Sequence, residues 1–275
     1  MDLDEPLNRL ELAAASVADD LGFVALADIA GLVTDTADWR LIGGHMVQIH
    51  AYRWRLGADL YRETLDADLG APPLTITNHR IAERLAEIGY VRKAGDRFER
   101  PVNDVPAGIN PNTQRRAVVD VLIPAYTSHA RSDRRVGDTG ITAIEVQGLA
   151  TALLRSPVVV ELALTRLNGQ RLETTTMIPD EASALILKAF AWQRRSAPKD
   201  AVAIWRCLEI AQRAGVRHSD FDRDPEAAKI IRGAFDERNA RAVTAIQTQR
   251  GLSDGASTQL ATRIRALISQ VVAER

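Results

Sequence analysis

The chain of 275 residues contains one cysteine, Cys207, so it can build neither a disulfide framework nor a cysteine-based zinc site. No apolar run approaches the roughly 20 residues of a helical membrane span, which excludes membrane insertion of that kind. Aromatic residues make up only 5%, and of 35 basic residues only Lys93, Lys188, Lys199 and Lys229 are lysines. In so arginine-biased a chain a retained lysine carries slightly more information than usual. There is no Walker-type glycine-rich loop, and no motif supports Ser/His/Asp catalysis. The five histidines are scattered; His45 and His50, five apart, fit one helical face poorly. Met1–Glu5 is acidic where a signal or transit peptide would be basic, so a cytoplasmic protein is expected.

What is present describes a globular chain. Hydrophobic residues reach 46% and charged residues 26%, enough to bury a core and too apolar for a disordered segment. The length allows one large domain or two modest ones. The net charge of −1 hides an asymmetry: residues 1–38 hold nine acidic residues against Arg9, and residues 39–275 are therefore net +7. A basic body suits either a polyanionic partner or a solvated surface.

Periodicity predicts helices over 5–20, 23–34 and 45–56, with a short strand at Trp39–Ile42 that stops at Gly43–Gly44. Thr64–Leu69 alternates as a strand does. An amphipathic helix follows over 77–88, with Ile81, Leu85 and Ile88 on one face, then a hairpin from Tyr90 to Arg100 around Gly95–Asp96. Residues 101–114 form a connection, and Ala117–Ile123 is the clearest buried strand. A polar loop at 129–140 precedes strands at 141–147, 157–164 and 171–178. From Pro179 onward the pattern is helical, over 180–194, 198–214, 225–235, 238–250 and 256–273. Pro198 after Ser196 is a good helix start. The order implies an α+β fold: an α/β domain over 1–178, led by the acidic helical segment 1–38, and a helical domain over 179–275.

Three carboxylates stand out. Residues i and i+2 of a strand face the same way, so Asp66 and Asp68 project together, while Leu65, Ala67 and Leu69 belong to the core face. Two like charges that close repel, and aligning them is costly without a cation. Asp120 is a single acid within Val-Val-Asp-Val-Leu-Ile, where an unpaired carboxylate is unfavourable. On neighbouring strands the three would form a hard, oxygen-only set of the sort Mg²⁺ accepts together with substrate phosphates. The bland alternative is a solvated strand end and a turn cap.

Gly43–Gly44, between a strand and a helix, could let backbone N–H groups approach an anion, or could mark only a turn. Lys188 lies in the apolar run Leu185–Phe190 and needs a partner, either a triphosphate or a structural acid such as Glu181 or Asp200. Arg194 and Arg195 end that helix, and Lys199–Asp200 open the next. Dipole compensation alone would explain Asp200.

Leu41-Ile42-Gly43-Gly44, Arg62-x-Thr64-x-Asp66-x-Asp68-Leu69, Val119-Asp120-Val121-Leu122 and Lys188…Arg194/Arg195…Lys199-Asp200 together resemble a known family. The likeness is to the AbiEii/AbiGii-type nucleotidyltransferase toxins, including the mycobacterial MenT group, within the DNA polymerase β-like nucleotidyltransferase superfamily. It spans about residues 39–205. The resemblance implies a nucleotidyltransferase-type mixed β-sheet with flanking helices and a helical lobe. It implies a Mg²⁺-dependent enzyme, paired with a cognate antitoxin, that moves a nucleotide from an NTP to RNA, in the MenT group to the acceptor end of tRNA. Carried over by residue, Asp66, Asp68 and Asp120 would ligate Mg²⁺, and Asp120 would help activate the acceptor hydroxyl. Gly43, Gly44, Arg62, Thr64 and Lys199 would contact the nucleotide, Lys188 its phosphate oxygens, and Asp200 would serve in positioning or as a base. The chain departs from the pattern at His45, where a small residue is usual, and in a longer spacing from Gly44 to Asp66.

Two other readings stand beside this one. Residues 75–100 could pass for half of a winged helix, as in a non-enzymatic DNA-binding antitoxin or regulator. A nucleotidyltransferase acting on a small molecule is the third.

Overall fold

The computed structural model describes residues 5–34, 36–57, 61, 63–104, 115–127, 129–235 and 241–273. Its architecture is α+β, a mixed sheet with flanking helices followed by helices alone. The larger sheet runs in the order β2 (Arg40–Ile42), β3 (Asp66–Gly70), β6 (Arg116–Pro124), β5 (Arg97–Pro101) and β4 (Val91–Arg92). β8 (Thr142–Val146) also pairs with β6 and carries the short β7 (Arg134–Arg135). β3 and β8 run parallel to β6, and β5 runs antiparallel to it. β5 pairs with residues 116–120 of β6 and β8 with residues 122–124, so the two lie end to end along the edge of β6 that β3 leaves open.

A second sheet joins β1 (Arg9–Ala13), β9 (Val158–Thr165) and β10 (Arg171–Ile178). Here the expected helix over 5–20 is wrong in its first half. Leu10 and Leu12 are buried while Arg9, Glu11 and Ala13 are exposed, a period of two that fits the parallel pairing with β9. Helix α1 (Val17–Leu32) starts only after Ser16, whose hydroxyl accepts from the Asp19 N–H as an N-cap. It then runs without a break through Gly22, where a side chain would lie 2.1 Å from the Thr64 carbonyl oxygen. Close approach of α1 to the segment before β3 explains that glycine.

Helix α2 (Gly43–Arg53) begins on the glycine pair itself. The single helix expected over 77–88 is two, α3 (Pro73–Asn78) and α4 (Ile81–Glu87), divided where Arg80 takes a left-handed conformation. Ile81 and Leu85 are buried as expected, whereas Ile88 is exposed. The hairpin around Gly95–Asp96 forms, and α5 (Leu149–Leu154), a helix the periodicity did not suggest, follows β8. The C-terminal helices are α6 (Glu181–Arg195), α7 (Pro198–Arg213), α8 (Pro225–Ala234), α9 (Arg241–Arg250) and α10 (Asp254–Val271). Residues 238–240 of the expected fourth helix lie outside the described residues. No described helix is long and apolar enough to cross a membrane.

One apolar cluster runs from α1 through both sheets into α6, α7 and α10. Two buried polar joints pin it. On α2, Arg53 and Trp54 donate to Glu181 at 2.8 Å each, and His50 Nε2 lies 2.8 Å from the Pro179 carbonyl, which fixes α2 against the start of α6. On α1, Asp20 accepts from Arg166 at 2.9 and 3.2 Å and from the Leu167 N–H at 2.9 Å, with both side chains buried. Asp20→Asn removes the buried counter-charge and leaves the Arg166 guanidinium with only the exposed Asp104, which accepts from it at 2.5 and 3.0 Å. It is expected to destabilise the protein by about 3 kcal/mol, read from the urea midpoint.

Candidate active site

The register of the larger sheet gathers the acids. Asp68 on β3 is directly opposite Asp120 on β6, and Asp66 is opposite Val118 two residues away on the same face. One oxygen from each of Asp66, Asp68 and Asp120 can be chosen so that all three lie within 4.8 Å of one another. Ala67 and Leu69 point into the core as expected, but Leu65, just before the strand, is exposed. On the far side of β6, Arg97 of β5 is opposite Asp120 and donates from Nη1 to its Oδ2 at 3.3 Å. The other oxygen, Asp120 Oδ1, is buried and accepts no hydrogen bond from any of the described residues.

Such a cluster cannot hold full negative charge comfortably. Burial pushes the Asp68 carboxyl up to about 7, reinforced by repulsion from Asp66 and Asp120 and offset by Lys188 and Arg195. Burial likewise pushes Asp120 up to about 6, with Arg97 opposing the rise and Asp66 adding to it. A divalent cation fits here on the chemistry of the donors: each of three carboxylates offers an oxygen within reach of one ion, and Asp120 has a buried oxygen with no partner among the described residues.

The glycine pair makes room for these acids. Gly43 has φ +71°, and a Cβ on it would stand 1.7 Å from Asp68 Oδ2. A Cβ on Gly44 would stand 2.6 Å from the Thr64 hydroxyl. The first turn of α2 therefore passes against β3 without side chains, and no side chain caps its leading N–H groups. Gly43→Ala is expected to cost about 1–2 kcal/mol from the left-handed backbone alone. By displacing Asp68 it should also weaken Mn²⁺ binding at least about tenfold, measured by electron paramagnetic resonance titration.

These residues line a cavity of about 780 Å³ between the sheet and the helical half. Its walls carry opposite charges. Glu63, Asp66, Asp68, Asp96, Asp120 and Glu145 come from the sheet side; Lys188, Arg194 and Arg195 from α6; Lys199 and Arg206 from α7. Lys188 is buried, with 8% exposure, and makes no hydrogen bond or ion pair among the described residues. Burial pushes its ammonium below the usual lysine range, against the pull of Asp68. Glu181, one partner considered for it, is committed to Arg53 and Trp54.

Asp200 is also committed. Both its oxygens accept from Arg195, at 2.7 and 3.1 Å, and its side chain is buried. Arg195 and Asp200 both line the cavity, and the pair fixes the Arg195 guanidinium there. Gly43, Gly44, Thr64, Lys188, Lys199 and Asp200 all line the cavity, while Arg62 lies outside the described residues. His45 is absent from the lining. It is buried against Gly22 of α1, and burial pushes its imidazole down to about 4, so it is neutral.

Arg97, Arg206 and Asp96 escaped the sequence reading. Arg97 and Glu99 alternate on β5 as Asp66 and Asp68 do on β3, a signal that becomes useful only once β5 is known to lie beside β6. Arg206 is buried on α7 and donates to Gln48 of α2 at 2.6 Å, with nothing in its sequence neighbourhood to single it out. No protein-family model matches the chain, and no curated protein matches it.

Proposed function

We propose that the chain is a Mg²⁺-dependent nucleotidyltransferase that moves a nucleotide from an NTP to an RNA acceptor, the acceptor end of tRNA foremost. In this reading it is the cytoplasmic toxin of a toxin–antitoxin or phage-defence pair, held in check by a cognate antitoxin and blocking translation when released. The observation that carries the chemistry is the charge division of the cavity: three convergent carboxylates on one wall face a buried, unpartnered lysine and a set of arginines on the other. A carboxylate trio alone would repel phosphates, and a basic wall alone would bind them without placing a cation.

Asp66, Asp68 and Asp120 would hold Mg²⁺, which when bound neutralises phosphate charge and polarises the α-phosphate. Lys188 and Lys199 would bind β- and γ-phosphate oxygens, and Arg195, oriented by Asp200, would stabilise charge on the departing pyrophosphate. The acceptor hydroxyl oxygen forms a bond to the α-phosphorus in line with the bond to the β-phosphate oxygen, which breaks and carries its electron pair away with pyrophosphate. Asp120, the acid at the edge of the trio, is the residue assigned to draw the proton from that hydroxyl.

The winged-helix alternative loses its wing, because β5 of the hairpin is an interior strand paired with β6. Incubation with each α-labelled NTP, Mg²⁺ and total RNA tests the transferase reading. Transfer of label from at least one NTP to RNA is expected. No labelled product from any of the four overturns it.

A further inference from the structure

Asp96 is a cavity-wall carboxylate that neither the metal cluster nor an ion pair absorbs. It lines the same cavity as Asp120 yet stands outside the trio that could share an ion. Two other acids of the lining are occupied, Glu145 by the Arg131 N–H and Arg134 and Asp200 by Arg195, while Glu63 precedes β3 and lies away from the joint beside Asp120.

Its place follows from the sheet. β5 and β8 meet end to end beside β6, and Asp96 fills the joint. Its carbonyl accepts from the Val121 N–H at 2.9 Å, which sets it beside the Asp120–Val121 peptide. The Thr142 N–H donates to the Gly95 carbonyl at 3.1 Å across the same joint. The N–H groups of Asp96 itself and of Ile144, the first residue of β8 past the gap to face the cavity, lie on the side of the Asp96 carboxylate and favour its charged form. Two backbone N–H groups cannot fill the roughly four acceptor positions of a carboxylate, and Asp96 is part of the cavity lining. Burial holds the Asp96 carboxyl above the usual range, with Arg97 and Arg194 opposing the rise.

A carboxylate only accepts hydrogen bonds, so a phosphate is repelled there, and since Asp96 stands outside the cation-binding trio the group it meets is a donor. In a site that joins a nucleotide to a ribose acceptor, the donors nearest the reacting groups are ribose hydroxyls: the 2′-hydroxyl is on the carbon next to the attacking 3′-hydroxyl, and the NTP carries its own. We infer that Asp96 accepts a hydrogen bond from a ribose 2′-hydroxyl beside the point Asp120 addresses, and so makes the site select ribonucleotide over deoxyribonucleotide. This rests on the transferase reading. The sugar is either the terminal ribose of the acceptor or that of the incoming NTP, a shared chemistry with two sources.

The experiment measures kcat/KM in two arms: one RNA acceptor against the same RNA ending in a 2′-deoxynucleotide, and one NTP against its 2′-deoxy form. Each ratio is taken within a single protein, so any loss of metal affinity or stability common to both substrates cancels. Wild-type protein is expected to prefer the ribo form at least about tenfold in one arm, and that arm identifies the sugar. Asp96→Ala should bring the ratio near one, and Asp96→Asn, which keeps an acceptor for the Ile144 N–H and thus the sheet joint, should retain part of it. Transfer with no ribo preference in either arm, or with a preference that both variants keep, overturns this inference and leaves the transferase standing. No transfer by the wild type overturns both.

Discussion

Asp68→Asn should abolish NTP-dependent labelling of RNA, by about a thousandfold or more, while raising the melting temperature of the metal-free protein. The two effects have one cause. Asp68 sits within 4.8 Å of two other carboxylates, and burial with their repulsion holds its carboxyl up to about 7. Its charge therefore opposes folding at neutral pH, and an amide of the same shape removes that charge. The expected gain is a few degrees. The pH dependence has the same sign. Asp68 at about 7 and Asp120 at about 6 bind protons in the native state where an unfolded carboxylate, near 4, has released them. Native protein thus holds more protons across that window, and stability falls as pH rises through it. Mg²⁺ should flatten the fall in wild-type protein and do little for Asp68→Asn. A melting temperature that drops in the variant, or a wild-type curve that Mg²⁺ leaves unchanged, would remove the cation from the account.

The parts of the fold that were legible in the sequence are those where local pattern and tertiary environment agree. Ala117–Ile123 is apolar enough to be read as a buried strand, and as β6 it is the central strand on which the site is built. Asp66 and Asp68 were readable as one face because strand periodicity is short and strict. The first helix was misread because Arg9–Ala13 is too short to separate a period of two from one of 3.6, and what makes it a strand is β9, about 150 residues away. The site divides similarly. Residues held by their own strand or helix could be named, including the acids, the glycine pair and Lys188. Those defined by a neighbour could not: Arg97 acquires meaning from its register with Asp120, and Asp96 from the gap between β5 and β8. The Gly43–Gly44 pair reads from sequence as either an anion cradle or a turn, and its close packing on Asp68 and Thr64 gives it a further reason that only the folded contacts reveal.

Lys188→Met is expected to reduce labelling about a hundredfold or more, and to stabilise the fold rather than weaken it. Methionine matches the length and flexibility of the lysine stem and suits its surroundings on α6, among Leu185, Ile186 and Leu187. The ammonium has no hydrogen-bonding partner among the described residues, and burial shifts it downward despite the nearby Asp68. In the metal- and nucleotide-free protein the desolvation cost therefore exceeds the Coulombic gain, and replacing a buried charge by an apolar side chain of similar volume is then favourable. A lysine kept for structure would show the opposite pattern, with stability and activity falling together. Lys188→Arg separates charge from shape: it restores a cation but overfills a site with 8% exposure, so activity should remain low and stability should fall. Unfolding curves for the three proteins, set beside their labelling rates, decide the matter. Loss of stability in Lys188→Met would mean that the lysine is held by the protein rather than for a phosphate.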